Sequence, residues 1–347
     1  MISRIKNRIE RELACYIRDV DKTYSLSNIS PVLYDSIKNF LSRKGKRVRP
    51  TLFVAGYLGF TRKPARGLYR SAISLELLHD FLLVHDDIID RSATRRGQPS
   101  MHEMLNKYLV KYKNIKFTGE DLTIVIGDVM YALALEAFLS IKEPWLRKEA
   151  SLRKLIQAAL YTGSGEFVEL LYGARNIDTV TKADIYKIYD LKTANYTFAS
   201  PLSMGALLAG AEKKQIDILF NLGIYLGRAF QIKDDCLGLF GKERNTGKSG
   251  LTDLKEAKKT ILIWYAYNKS SEKDKLTIKR IFAKNKIDKN DLLITQRIVS
   301  ASGALEYAER EINALTKKAD YLAARSKMRL PYKSAIIDYS KEMLELR

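Results

Sequence analysis

The sequence predicts an all-α protein, a large helix bundle that forms one continuous domain over residues 1–347. Long segments carry apolar residues at helical spacing, and clear strand alternation is absent. Only 7 prolines occur, none of them between Pro201 and Pro331, and no Gly/Ser-rich linker interrupts the chain. These features favour helices that share one core over separate domains.

Hydrophobic periodicity indicates where the helices lie. Residues 71–90 carry apolar side chains around most of the helical wheel, which predicts a helix buried on most sides. Further long helices are predicted at roughly 121–141, 145–172, 182–210 and 213–238, with shorter ones after residue 252. The stretch 1–20 is charged throughout and lacks the apolar core of a signal peptide, so it is expected to form the first amphipathic helix.

Composition narrows the classes of partner. The chain has 60 Lys and Arg against 40 Asp and Glu, a formal net charge of +20, which fits nucleic acid, an anionic membrane surface or small phosphorylated substrates. No nucleic-acid-binding motif occurs, so a nucleic-acid partner is not expected, whereas peripheral contact with an anionic membrane is retained as a hypothesis. Two cysteines cannot form a disulfide framework, and with the absent signal peptide they predict a cytoplasmic protein.

The stretch VHDDIID at 84–90 sets three aspartates inside an apolar helical run. Buried carboxylates are costly unless they are paired, hydrogen-bonded or bound to metal. On a helix, Asp86 and Asp90 project from one face with Cβ atoms about 5–6 Å apart, and Asp87 lies on the flank. This geometry suits Mg²⁺, which binds one or two carboxylates, waters and phosphate oxygens. Zinc is disfavoured because the chain has only three histidines and no Cys/His spacing.

A second acidic pair, Asp234 and Asp235, ends the apolar stretch FQIKDD. Two acidic patches that each end an apolar helix predict opposed walls of one cavity, where Mg²⁺ ions would neutralise a diphosphate leaving group. Basic side chains in KGKRVRP (44–50) and RRG (95–97) are candidate phosphate ligands, because the planar fork of arginine suits phosphate oxygens.

Together these motifs resemble the trans-isoprenyl diphosphate synthases, the family of farnesyl and geranylgeranyl diphosphate synthases. DDIIDRSATRRG is similar to the first aspartate-rich motif of that family. Other motifs follow in the family's order: GKRVRP (45–50), LLHDFLLVHDD (77–87), GD (127–128), LKTANY (191–196), FQIKDD (230–235) and TGK (246–248). The resemblance spans roughly residues 40–260. It implies an isoprenoid-synthase-type helix bundle around a central cavity, a homodimer, and condensation of isopentenyl diphosphate with dimethylallyl, geranyl or farnesyl diphosphate to geranylgeranyl diphosphate.

The resemblance also implies a role for each matching residue. The ligands of two or three Mg²⁺ ions would be Asp86, Asp87, Asp90, Asp234 and Asp235. The allylic diphosphate would contact Arg95, Lys192 and Lys248. Isopentenyl diphosphate would be held without metal by Gly45, Lys46, Arg49, His79 and Arg96. The catalytic set would be Lys192, Thr193 and Gln231, of which the last two stabilise the allylic cation, while Asp253 and Lys258 complete the cage.

Product length is expected to depend on bulky residues just before the first aspartates. On a helical wheel Leu82 lies about 40° from Asp86 and Phe81 about 140° away, so geometry alone favours Leu82 or leaves the choice open. The resemblance favours Phe81, because a lone aromatic five residues before the motif is similar to the archaeal geranylgeranyl type. Leu78 and Leu75 would then continue the wall that the growing chain meets.

The sequence departs from the family's pattern at three positions. Gly238 stands where many members have a third aspartate, Glu166 replaces a frequent glutamine, and Glu169 replaces a frequent aspartate. Four alternatives remain: a farnesyl or longer-chain product, a non-catalytic partner subunit, a terpene cyclase, and a basic RNA- or membrane-binding module. The intact DDIID, RRG and KT motifs argue against a silent subunit, and a cyclase would not use an isopentenyl site at Lys46, Arg49 and His79.

Overall fold

A computed structural model describes residues 1–241 and 251–344. Over these residues the regular secondary structure is helical apart from one two-stranded ribbon, so the predicted all-α class is confirmed for the described residues. Within them, contacts group the chain into two compact units. Unit 1 holds residues 1–155, 201–212 and 328–335, and unit 2 holds residues 156–200, 213–241, 251–327 and 336–344. A single domain over 1–347 stays a prediction.

The elements follow one another along the chain. The first eight helices are α1 (Ile2–Tyr24), α2 (Leu26–Ile29), α3 (Pro31–Ser42), α4 (Val48–Leu58), α5 (Leu68–Ile89), α6 (Met101–Leu109), α7 (Gly119–Phe138) and α8 (Trp145–Ala174). Strands β1 (Thr94–Arg95) and β2 (Gln98–Pro99) lie between α5 and α6. A 3₁₀ turn (Ile177–Thr179), α9 (Lys182–Tyr189), a π-helical segment (Asp190–Ala199) and α10 (Ser200–Leu208) come next. The remaining described helices are α11 (Lys213–Phe240), α12 (Leu251–Lys255), α13 (Ile261–Lys269), α14 (Glu272–Phe282), α15 (Lys289–Ala301), α16 (Ala304–Arg325) and α17 (Leu330–Leu344).

Unit 1 is organised around α5, which packs against α1, α4 and α7. Its N-terminal half is almost fully buried, as expected for a helix enclosed by others. Its buried residues include Ser71, Ser74 and Glu76, and the aspartates lie toward its C-terminal end. The ribbon that follows turns at Arg96 and Gly97, both at positive φ (56° and 73°), as a two-residue hairpin turn requires.

Unit 2 is organised around α11, which packs against the π-helical segment and α16. Its apolar face joins a core that includes Ile232, Ile261 and Ile298. The sequence predicted one helix over 182–210, and the structure instead has three helical pieces with a π-helical middle. In that middle the Ser200 N–H donates to the Asn195 carbonyl, five residues back. Such π-helical turns are frequent at functional sites.

The other predicted helices agree with the structure to within a few residues. Residues 71–90 correspond to α5, 121–141 to α7, 145–172 to α8 and 213–238 to α11. The first amphipathic helix is α1, whose buried residues recur at helical spacing from Ile5 to Val20.

Candidate active site

The first aspartate motif lies at the C-terminal end of α5, and the structure separates its three carboxylates. Asp86 and Asp90 remain partly accessible, and the Asp90 N–H donates to the Asp86 carbonyl (2.8 Å), which keeps both on one helical face. Asp87 is fully buried and accepts hydrogen bonds from Arg95 Nε (2.7 Å) and Nη2. The motif therefore presents two accessible carboxylates and uses the third to hold an arginine.

Arg43, which the sequence interpretation missed, fixes the hairpin that carries Arg95. It is buried at the end of α3 and donates from Nη1 to the Arg95 carbonyl oxygen (3.3 Å). Burial lowers the pKa of its guanidinium, and the nearby Asp87 carboxylate opposes that effect. In the sequence Arg43 is one more basic residue before KGKRVRP, so no local signal distinguishes it.

Several residues of unit 1 that were predicted to bind isopentenyl diphosphate lie close to one another around Arg96. A Cβ on Gly45 would lie 3.3 Å from Arg96 Cζ, so the glycine allows the guanidinium to approach the backbone. Arg96 Nη1 is buried and has no hydrogen-bond partner among the described residues. Burial lowers the pKa of His79 well below its usual value, and the positive charges of Arg49 and Arg96 act in the same direction. A neutral histidine among arginines, with one buried donor unfilled, suits an anionic oxygen ligand. Lys46 is exposed.

Arg47 was a candidate phosphate ligand within KGKRVRP, and the structure gives its donors to the protein instead. It is buried at φ 49° and bonds Glu76 (2.5 Å), Glu10 (2.7 Å) and the carbonyls of Leu41 (3.0 Å) and Arg43 (2.9 Å). The residue therefore builds the turn that carries its neighbours. Glu10 of α1, which precedes Arg47 by 37 residues in the chain, helps to hold this turn through its contact with Arg47. The sequence interpretation did not single it out.

Glu76 and Asp80 were also missed, although they lie one helical turn apart on the buried face of α5. Arg96 Nη2 donates weakly to both carboxylates (3.4 Å each). Burial raises the pKa of Asp80 to about 8, and the neighbouring Glu76 charge adds to this effect. In the sequence both acids sit within an apolar pattern, where only the cost of burial could have drawn attention to them.

The candidate chain-length residue Phe81 is half-buried on α5. Its ring contacts those of His85 (centroids 4.8 Å) and Tyr131 of α7 (5.2 Å). A Cβ on Gly127 would overlap the His85 ring, so the glycine of the GD motif allows α7 to approach α5 here. Leu78 is buried and Leu82 is half-exposed. Phe81 thus belongs to an aromatic cluster that sequence spacing did not reveal.

In unit 2, the two glutamates that depart from the family's pattern both bind Lys192. Lys192 Nζ forms ion pairs with Glu169 Oε2 (2.5 Å) and with Glu166 Oε2. All three side chains are mostly buried, and the lysine is in the π-helical segment while both glutamates are in α8. The predicted diphosphate ligand is therefore held by two carboxylates.

A chain of hydrogen bonds joins the predicted catalytic residues to the second aspartate motif. Thr193 Oγ1 donates to Gln231 Oε1 (2.6 Å), and Gln231 Nε2 donates to Asp235 Oδ1 (2.9 Å). The Tyr189 hydroxyl donates to Asp235 Oδ2 and accepts from the Ile261 N–H (3.0 Å). Burial raises the pKa of Asp235 well above its usual value, and both its oxygens are engaged. Tyr189 was missed, because an aromatic residue in an apolar helical pattern indicates only core packing.

The second motif has a further acid beside it. Asp234 is exposed at the surface of α11, and a Cβ on Gly238 would overlap Asp253 Oδ2. Lys258 Nζ lies 3.4 Å from Asp253 Oδ1 and 2.6 Å from Glu256 Oε2. The charges of Asp234 and Asp253 both act on the Asp235 carboxyl. Lys248, predicted to bind diphosphate, lies outside the described residues.

The donor set is compatible with magnesium. Among residues 1–241 and 251–344, no group of three or more His, Cys, Asp and Glu side chains converges to form a complete metal site. Mg²⁺ does not need one, because it keeps several waters and binds through one or two carboxylates together with substrate phosphates. Asp86 with Asp90 in unit 1, and Asp234 with Asp253 in unit 2, offer such carboxylates.

Comparison with known proteins identifies the family. The polyprenyl synthetase family model matches residues 30–298. The chain belongs to the polyprenyl synthetase family. This confirms the predicted trans-isoprenyl diphosphate synthase family and its resemblance to archaeal-type members, and it supports prenyltransferase activity.

Individual polyprenyl synthetases are similar over most of their length. The chain is 33% identical to a geranylfarnesyl diphosphate synthase of Aeropyrum pernix (87% of this chain, 88% of that protein) and 31% identical to a geranylgeranyl diphosphate synthase of Sulfolobus acidocaldarius (86% and 85%). A geranylgeranyl pyrophosphate synthase from Corynebacterium glutamicum, solved with isoprenyl diphosphate and magnesium, shares the fold with TM-score 0.88 and 24% identity over both full chains. That from Pyrococcus horikoshii has TM-score 0.81 and 25% identity, covering 100% of this chain and 98% of the other. No described helix of this polyprenyl synthetase is long and apolar enough to span a bilayer.

Proposed function

We propose that this chain catalyses the Mg²⁺-dependent condensation of isopentenyl diphosphate with dimethylallyl, geranyl or farnesyl diphosphate, and that it releases geranylgeranyl diphosphate. The strongest support is the arrangement of side chains at the C-terminal end of α5. There Asp86 and Asp90 stay accessible on one face while buried Asp87 holds Arg95. Carboxylates for a metal ion and a guanidinium for phosphate thus lie side by side.

Metal binding is assigned to the accessible carboxylates of each unit. Asp86 and Asp90 of unit 1 and Asp234 and Asp253 of unit 2 would hold two or three Mg²⁺ ions. When bound, such ions stabilise charge on a leaving diphosphate. Asp87 and Asp235, which the sequence predicted as ligands, are buried with their hydrogen bonds directed to protein groups. We assign them the positioning of Arg95 and Gln231.

The reaction needs no protein base. The C–O bond of the allylic diphosphate breaks to give a delocalised cation and diphosphate, and the double bond of isopentenyl diphosphate then attacks the cation. Loss of one proton to the departing diphosphate restores an allylic product. Arg95 and Lys192 would bind the allylic diphosphate, and the oxygens of Thr193 and Gln231 would direct partial negative charge toward the cation.

Isopentenyl diphosphate is assigned to the basic group around His79. Arg96 with its unfilled Nη1 donor, Arg49 and Lys46 would bind phosphate oxygens, and the bare backbone at Gly45 leaves room for them. His79 is kept neutral by burial and the surrounding arginines, so it would act as a hydrogen-bond donor. This second anion site distinguishes a condensing enzyme from a cyclase, which has one diphosphate substrate.

The product assignment rests on Phe81. The ring is braced by His85 and Tyr131, so it would stop chain growth along α5. A longer product is the second candidate, because the relative from Aeropyrum pernix is a geranylfarnesyl diphosphate synthase. We expect Phe81→Ser to lengthen the product and Leu82→Ser to leave it unchanged. The reverse pattern would show that Leu82, and not Phe81, limits the length of the growing chain.

A homodimer is the proposed assembly. Five apolar side chains of α8 within unit 2 are exposed and recur at helical spacing: Ile156, Leu160, Phe167, Leu170 and Leu171. Such a stripe favours a second helix packed against it. We expect Phe167→Glu to shift the mass by light scattering from dimer to monomer, whereas Leu293→Glu, at an exposed leucine of α15, leaves it unchanged. A cytoplasmic location stays a prediction from the cysteine content.

A product assay tests the proposed function. Purified protein is incubated with Mg²⁺, isopentenyl diphosphate and each allylic primer in turn, and the dephosphorylated alcohols are sized. We expect a twenty-carbon product that is lost with EDTA and with Asp86→Ala. A product of another length would support the condensation reaction but contradict the proposal that Phe81 limits the chain to twenty carbons. No product from any primer would favour a non-catalytic partner subunit.

A further inference from the structure

The segment 107–117, which comprises the last turn of α6 and most of the link to α7 in unit 1, exposes apolar side chains to solvent. Residues 110–118 are all exposed, and Val110 is 82% accessible, Tyr112 49%, Ile115 40% and Phe117 45%. Isolated exposed apolar residues are common, but a contiguous group of this kind marks an interaction surface. None of these residues takes part in the reaction proposed above.

The same segment carries only positive charge. Lys107, Lys111, Lys113 and Lys116 alternate with the apolar residues, and no acid occurs between Glu103 and Glu120. None of the four lysines forms a salt bridge with another described residue. Lys111 lies over the Tyr108 ring, and the charges of Lys107, Lys113 and Lys116 are available to a partner.

Both ends of the segment are fixed to the fold. The Gly119 N–H donates to Asn106 Oδ1 (2.6 Å), which ties the start of α7 to α6. Tyr108 and Tyr112 share a hydroxyl hydrogen bond (3.0 Å), and Lys111 Nζ lies 3.8 Å from the centre of the Tyr108 ring. A segment braced in this way presents its outer side chains without the full ordering cost of a free loop.

We propose that segment 107–117 is a membrane-docking surface for anionic phospholipid bilayers. Val110, Ile115 and Phe117 would enter the acyl boundary, and the tyrosines would lie at the level of the headgroups. The lysines would bind lipid phosphates, with their alkyl stems along the apolar layer. Docking depends on this surface and not on the identity of the product.

The composition of the segment favours a bilayer over other partners. A two-fold interface centred on this segment would place four lysines opposite four lysines. Nucleic acid would match the lysines but offers nothing for the aliphatic side chains of Val110 and Ile115. An anionic bilayer matches both the charge and the apolar groups.

Vesicle co-sedimentation of the full chain tests the proposal, with phosphatidylcholine vesicles that either contain or lack phosphatidylserine. We expect the wild-type protein to partition at least tenfold more to the anionic vesicles. Val110→Ser/Phe117→Ser should lower that partitioning at least tenfold. Because each lysine contributes roughly fivefold on an anionic surface, Lys113→Gln/Lys116→Gln should lower it by roughly twenty-five-fold.

Matched controls distinguish binding through this surface from a general effect of positive charge or exposed apolar side chains. Lys286→Gln/Lys289→Gln has the same spacing on another exposed segment, and Leu293→Ser removes another exposed apolar side chain, so both should partition like the wild type. Prenyl transfer from soluble substrates should be unchanged in all variants. Equal loss in test and control variants, or wild-type binding to neither vesicle, overturns the proposal. A change of mass by light scattering, or loss of RNA binding alone, would assign the segment to another partner and also overturn it.

Discussion

Asp253 places its carboxylate against the backbone of Gly238, in the space that a side chain at position 238 would need. The second aspartate motif lacks a third acid because position 238 is glycine. A carboxylate from α12 therefore lies where the motif's own side chain would begin. The glycine and the later aspartate are a structural pair.

This pair predicts that Gly238 cannot be replaced by alanine without cost. The new Cβ would displace the Asp253 carboxylate, so we expect a higher Mg²⁺ concentration for half-maximal activity and about tenfold lower kcat/KM, which corresponds to about 1.4 kcal/mol. Asn221→Ala in the same helix is the control, because Asn221 is exposed. The two assays are a Mg²⁺ titration and steady-state kinetics.

Asp253→Ala should show the same defect, and the double variant with Gly238→Ala should be no worse than either single variant. Gly238→Ala kinetics that match those of Asn221→Ala would contradict the pairing. Strictly additive losses would mean that the two positions act independently.

Tyr189 is predicted to position the second motif through its hydroxyl. Tyr189→Phe keeps the ring but leaves Asp235 Oδ2 without a donor and the Ile261 N–H without an acceptor. We expect about 1–3 kcal/mol lower free energy of unfolding. Because Asp235 holds Gln231, we also expect about tenfold lower kcat, or about 1.4 kcal/mol in the barrier, with an unchanged KM for isopentenyl diphosphate.

Tyr186→Phe is a matched control one helical turn away, since its hydroxyl donates to Glu311 (2.5 Å) and not to the motif. Thermal unfolding and steady-state kinetics are measured on both variants. If kcat falls equally in both variants, the fall reflects reduced stability in general, and the proposed positioning role of Tyr189 is contradicted.

The sequence predicted best what depends on helical period alone. Asp86 and Asp90 lie on one face because four residues make about one turn, and the structure shows both accessible there. The burial of Asp87 depends instead on Arg95, whose position follows from a hairpin at Arg96 and Gly97. No local pattern encodes that partner.

The errors and omissions in the site share a cause. Arg47 and Arg49 are both basic residues of one short motif, and contacts with Glu76 of α5 and Glu10 of α1 give Arg47 an internal role. The π-helical segment around Lys192 likewise arises in the middle of a continuous helical pattern. Tertiary contacts decide such features, and periodicity in one sequence does not carry them.

Glu166 is predicted to weaken binding of the allylic diphosphate. It and Glu169 both bind Lys192, so the incoming diphosphate must compete with two carboxylates for one ammonium. Glu166→Gln removes one negative charge and leaves Glu169 to hold the lysine. Because a partly accessible ion pair is worth up to about 1 kcal/mol, we expect KM for the allylic substrate to fall by up to about fivefold.

The control for Glu166 is Glu149→Gln on the same helix, which removes an exposed ion pair with Arg153 (2.8 Å). Initial rates at varied allylic diphosphate give both KM values. A raised KM in Glu166→Gln would show that both glutamates are needed to place Lys192.

Asp80 makes stability depend on pH in a direction unusual for a carboxyl. Burial raises its pKa from 3.8 to about 8, so the folded protein keeps a proton that the unfolded chain has released. Between those two values the free energy of unfolding falls as pH rises, by up to about 1.4 kcal/mol per pH unit, and above them it levels off. Asp80→Asn stays neutral at every pH and can still accept from Arg96.

We therefore expect Asp80→Asn to be more stable than the wild type at about pH 9 and similar to it at about pH 4, as measured by denaturant unfolding. Asp121→Asn is the control of opposite sign. Hydrogen bonds from Thr118 lower the pKa of Asp121, so its contribution is present at neutral pH and disappears as pH falls through the folded pKa. An Asp80→Asn variant that is less stable than the wild type at alkaline pH would mean that the charged carboxylate stabilises Arg96 more than its burial costs.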